Sequence, residues 1–155
     1  MTAVPALHFE DIDEDRVFVS PTRTIAEYDL YVFAGLTADF TEFHLSTTAA
    51  EATHFGRRVA HGMLIVSIAN GLYNRIGVTD GTGLGLMGVE WRFGKPVFIG
   101  DTIHLSIRAS GKRHLPGKKG GIVFWTGSII NQDGVATGTG TFTRMIAYRN
   151  AQTAG

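Results

Sequence analysis

The chain has 155 residues, 14 basic and 14 acidic side chains, a formal net charge of zero and no cysteine. A balanced charge lacks the basic surplus that a nucleic-acid partner requires, and it leaves little repulsion between copies, which favours self-association. Without cysteine there is no disulfide framework, no thiolate zinc site and no cysteine nucleophile.

Residues 1–11 show no basic region followed by an apolar run, so no leader is expected. The acidic cluster Glu10, Asp11, Asp13, Glu14 and Asp15 reads as a solvated lead-in. Arg16 to Ser20 fits a short strand with Val17 and Val19 on one face. Thr24-Ile-Ala-Glu27 is a capping box that predicts a helix over Ile25 to Ala34, closed by Gly35. Leu36 to Leu45 lacks helical punctuation and reads as a loop. Thr48-Ala-Ala-Glu51 is a second box, opening a short helix that Gly56 ends. Asp39 and His44 therefore fall on a loop between two helices, a place where a rigid frame can position polar side chains.

Ala60 to about Ile76 is predicted to be the third helix, closed by Gly77. Its apolar residues occupy nearly every angular position, so it should be buried. It is the most apolar stretch, yet too short for the roughly 18 or more residues that a bilayer span needs. No membrane partner is expected, and the chain reads as a cytoplasmic protein.

The remainder reads as strands. Met87, Val89, Trp91 and Phe93 share a face in Leu86 to Phe93, and Ile103, Leu105, Ile107 and Ala109 do so in Thr102 to Ala109. Gly111 to Gly121 is a basic loop, more readily a solvated hairpin tip than a contact for phosphates. Ile122 to Ile130 is a central strand, and Asn131-Gln-Asp-Gly134 turns the chain back into Val135 to Ile146. There Thr137, Thr139, Thr141 and Thr143 take one face, with Gly138 and Gly140 on the other. Such glycines mark the close approach of another backbone, expected to be the buried helix. The order is strand, helices, then four long strands: an α+β fold, with a mostly antiparallel five-stranded sheet wrapped around one long helix. No linker or repeat divides residues 1–155.

Chemistry concentrates in one stretch. Asp39 and His44 offer a carboxylate and an imidazole five residues apart. Gly62 stands at a helix entry, where unpaired N–H groups hold developing negative charge and the missing side chain allows close approach. On spacing alone an Asp and a His in a loop are far more often structural than catalytic. His61 either satisfies backbone at the helix entry or points at a substrate. His44, His54 and His61 form no pair at a metal-ligand spacing on one helix face, so no metal is expected. Gly83-Leu-Gly-Leu-Met-Gly88 matches a dinucleotide fingerprint as a string but enters a strand rather than a helix. Ser46 and Ser67 lack a nucleophile elbow.

The sequence resembles the MaoC-like acyl dehydratases, the (R)-specific enoyl-CoA hydratases of the hot-dog fold. Phe33-Ala-Gly-Leu-Thr37 opens that family's pattern, and Asp39 and His44 fall on its acid/base positions. Ala60-His61-Gly62-Met63-Leu64 matches its helix entry. Gly88 to Phe93 and Lys95-Pro-Val-Phe-Ile-Gly-Asp-Thr102 follow in its order. The likeness spans about residues 16 to 147. It departs where the family has Asn-Pro and an aliphatic residue; here stand Thr41, Glu42 and Phe43.

The resemblance implies a lyase that adds water to a 2-enoyl-CoA and gives a (3R)-hydroxyacyl-CoA. Asp39 and His44 would hold one water between them, and the Gly62 N–H would serve as oxyanion hole. Thr41, Phe43, His61 and Met63 would meet the substrate. No metal or redox cofactor is implied, since coenzyme A arrives with the substrate. A homodimer or higher homo-oligomer is implied. An acyl-CoA thioesterase on the same fold, or a non-catalytic acyl-thioester binding module, are the alternatives.

Overall fold

The computed structural model describes residues 6–150. A 3₁₀ turn at Phe9–Asp11 leads into β1 (Val17–Val19), β2 (Arg23–Thr24), α1 (Glu27–Thr37), α2 (Glu42–Leu45), α3 (Thr47–Glu51) and α4 (Gly62–Ile76). Four long strands follow: β3 (Gly83–Phe93), β4 (Thr102–Arg113), β5 (Gly120–Ile130) and β6 (Ala136–Ala147). The sheet runs β1-β4-β5-β6-β3, antiparallel throughout, and β2 adds a sixth strand beside β4. The expected α+β hot-dog architecture is present: α4 lies against a curved antiparallel sheet, and β2 is the strand that sequence patterning did not resolve.

The core forms where the inward stripe of α4 meets the inner face of the sheet. Ile65, Ala69, Leu72, Tyr73 and Ile76 are buried against Ile103, Leu105, Ile107, Trp125, Phe142 and Ile146. Composition predicts a helix buried all round, but Met63, Ser67, Gly71 and Asn74 make an exposed stripe on α4. Gly77 closes α4 in the left-handed conformation, φ +80°.

Two expectations change. Residues 1–5 lie outside the description, and so does that part of the leader and lead-in readings. From Leu7 onward the lead-in is packed through its apolar residues, while Glu10, Asp11, Asp13, Glu14 and Asp15 are exposed as expected. The Leu7 N–H donates to the Val78 carbonyl at 2.8 Å, Phe9 and Ile12 are buried, and Phe9 meets Tyr148 edge-on at 5.2 Å. The close approach at Gly138 and Gly140 comes from β3 and not from the helix. A Cβ at Gly140 would stand 2.2 Å from the Glu90 carbonyl oxygen and 2.4 Å from the Trp91 ring. One at Gly138 would stand 2.6 Å from Trp91 Nε1. Bare glycines on β6 thus let the Trp91 indole lie flat on the sheet beside Phe142, at 5.5 Å. Among the described residues no helix is long and apolar enough to cross a membrane.

Candidate active site

α1 runs two residues past Gly35, the expected stop. Leu30 and Ala34 anchor its inner face, and Thr37 Oγ1 bonds the Phe33 carbonyl at 2.7 Å. It ends at Ala38, whose φ of 59° is left-handed. That reversal turns the chain sharply and delivers Asp39 onto the connection to α2. The expected loop is therefore short: His44 sits in α2, a single helical turn, and not in a loop. Ser46 then caps α3, accepting from the Ala49 N–H at 3.2 Å, so α3 begins one residue before the expected box. Arg58 ties these pieces together, donating to Glu27 Oε1 at 2.5 Å and to the Leu45 carbonyl at 3.4 Å.

Asp39, solvent-accessible, is braced by its neighbour. Thr41 Oγ1 donates to Asp39 Oδ1 at 2.6 Å, and the Thr41 N–H reaches the same oxygen at 3.3 Å. These bonds, with smaller help from His61 and His44, hold the carboxyl below its ordinary value. Thr41 thus supplies the brace at a position where the resemblance places an Asn.

His44 is buried. Its Nδ1–H donates to the Val59 carbonyl at 2.6 Å, because a carbonyl can only accept; Nε2 is left with a bare lone pair. Burial pulls its pKa down, outweighing the Val59 bond and the nearby carboxylate, which push it up. His44 is therefore a neutral imidazole with an open acceptor.

His61 is 1% exposed and caps the entry of α4. Its Nε2–H donates to the backbone carbonyl of Asp39 at 3.0 Å, and its ring stacks on His44 with centroids 3.8 Å apart. Its Nδ1 is buried without a protein partner. The backbone-satisfying role expected of this residue is met by Nε2. One donor atom from each of Asp39, His44 and His61 lies within 4.8 Å of the others. A gap of that size holds one water or one small cation. Sequence spacing gave no metal set because the three residues sit on separate elements.

Gly62 begins α4, so its N–H lacks an intrahelical partner. A Cβ there would stand 2.9 Å from the Phe93 ring. Beside it lies a cavity of about 520 Å³, with Phe43, His44, Gly62, Trp91 and Phe93 in its walls. His54, Phe55, Lys95 and Thr137 also line it. Of these, sequence reading names only Phe43, His44 and Gly62 for the site; Trp91, Phe93 and Lys95 lie in motifs read as strand and turn, and spacing does not show that they meet it. Met63 is 59% exposed and stands outside this cavity's lining.

The profile of the MaoC like domain matches residues 9–123. The chain belongs to the MaoC-like family. An (R)-specific enoyl-CoA hydratase of Rhodospirillum rubrum is 36% identical over 105 residues, which is 67% of this chain and 70% of that protein. A monoamine oxidase regulatory protein from Archaeoglobus fulgius superposes with a TM-score of 0.86 at 33% identity, over 96% of this chain and 99% of the other. The unliganded (R)-hydratase PhaJ1 of Pseudomonas aeruginosa gives 0.77 at 27% identity, over 92% and 87%. As a MaoC-like domain, this chain keeps the sheet and central helix shared by those structures.

Proposed function

We propose that this protein hydrates 2-enoyl-CoA thioesters to (3R)-hydroxyacyl-CoA, as a lyase. The observation that carries this reading is that Asp39 and His44 bring ligand atoms within 4.8 Å of each other, with His44 Nδ1 tied to Val59, while His44 and Gly62 line one cavity. His44 Nε2 takes a proton from the water as its oxygen bonds to Cβ. Asp39 orients that water, and the proton is returned to Cα through the pair. The thioester oxygen gains charge as the enolate forms and is held by the Gly62 N–H at the positive end of α4. The family relationship and the name of the Rhodospirillum rubrum relative support the substrate class. The proton transfers need only these side chains.

The protein acts as a homodimer. β3 is an edge strand with Leu84, Leu86, Met87 and Val89 exposed, the kind of edge that pairs with a second copy. Incubation with crotonyl-CoA and a thiol reagent tests the reading. Hydration removes the enoyl-thioester absorbance and releases no thiol. Thiol release would mark a thioesterase, and no change in either signal would mark a binding module.

A further inference from the structure

Arg144 is a half-buried cation with no carboxylate partner among the described residues. It stands on β6 opposite Leu86 of β3, on the sheet face that meets α4. Its Nη2 donates to Asn70 Oδ1, its guanidinium lies 4.0 Å from the centre of the Tyr73 ring, and its Nε is buried without a partner. Tyr73 supplies no counter-charge: burial pushes its pKa up to about 12. A neutral amide and an aromatic face orient the cation but do not neutralise it. An interior cation left this way is costly unless something else arrives to pair with it.

Its place relative to the proposed site gives that something a form. Gly62, Val66, Asn70 and Tyr73 follow one another along the flank of α4 that meets Arg144. Between Gly62 and Asn70 the helix advances about 12 Å. Leu86 and Val89 of β3, paired with Arg144 and Phe142 of β6, are both over 40% exposed, so the β3 side of this flank is open. A hydrogen bond of ~2.9 Å at each end leaves room for an acyl unit of roughly four to six carbons. An acyl chain held at Gly62 by its thioester oxygen would thus reach Arg144 with its far end.

We propose that Arg144, oriented by Asn70, selects enoyl-CoA substrates whose acyl chain ends in a carboxylate. This rests on the hydratase reading and adds the substrate class. The planar guanidinium offers its remaining N–H groups to both carboxylate oxygens, and the charge that protein groups leave unpaired is paired by substrate. Arg144 touches substrate but takes no part in the proton transfers, so it is a specificity residue.

The test compares glutaconyl-CoA and 2-hexenedioyl-CoA with their uncharged counterparts, 2-pentenoyl-CoA and 2-hexenoyl-CoA. Wild type is expected to favour a carboxylated member of its pair by about tenfold or more in kcat/KM. Arg144→Met should lower that value about 10²-fold and leave the uncharged substrates within about threefold, while Arg144→Lys keeps part of the preference. The wild-type comparison does not depend on either variant folding. Equal or better turnover of the uncharged substrates by wild type overturns the assignment of Arg144 and leaves the hydratase reading intact. Equal losses on both classes in a folded Arg144→Met also overturn it. No hydration of any of the four, nor of crotonyl-CoA, removes the hydratase reading and this inference with it.

Discussion

The proposed role of His44 depends on its burial. The imidazole is kept neutral because the charged form is disfavoured in its enclosed site, and the Val59 carbonyl fixes which nitrogen is open. Activity should therefore hold as pH falls toward the ordinary imidazole value of 6.5 and drop only below it, at the lowered pKa. Stability follows the same group in a different window. As pH falls through about 6.5 the unfolded chain takes up a proton that buried His44 refuses, so the folded state loses stability down to the lowered pKa. Urea denaturation of wild type and His44→Gln across this range should show a smaller pH slope for the variant. Thr41→Val removes the strongest support of the Asp39 carboxylate and should move its pKa up, measurable by carboxyl NMR titration, with kcat reduced about tenfold. The Asp39 and His44 positions were readable from sequence through family motifs. The stacking of His61 on His44 was not, because contacts between side chains on separate elements leave no mark on local spacing.

At the scale of elements, the long pieces were legible and the short ones were not. α4 and the four long strands carry clear periodicity and were found within a few residues. α2 has only one turn, too short for a periodic pattern, so its residues looked like loop. Gly35 looked like a helix stop, yet α1 passes through it, because the buried Leu30 and Ala34 and the Thr37 bond to Phe33 hold the next turn. The real stop, Ala38, is a residue type that seldom takes the left-handed conformation, at about 1–2 kcal/mol. Ala38→Val should cost more than about 1 kcal/mol in denaturant melts, while Ala38→Gly is tolerated, since a branched side chain cannot enter that conformation without strain. Gly140→Val is expected to cost about 3 kcal/mol, because its side chain would overlap both β3 backbone and Trp91.

Taken whole, the molecule is a sheet packed on one helix, with the proposed site at the entry of that helix and an apolar edge strand, β3, whose outer side has no partner among the described residues. A formal net charge of zero does nothing to keep such edges apart. Light scattering coupled to gel filtration should give twice the chain mass for wild type, and a Leu84→Lys, Met87→Lys double variant should elute with the mass of one chain. The pairing of Arg144 with Asn70 also belongs to this scale, since it joins β6 to α4 and closes only when the sheet has curved onto the helix.

The most direct measurement of the central claim pairs turnover with binding. Hydration of crotonyl-CoA should fall by about 10²-fold or more in both Asp39→Asn and His44→Gln, while calorimetry gives each variant a Kd for a saturated acyl-CoA within about threefold of wild type. Undiminished hydration by either variant would contradict a shared water between those two side chains.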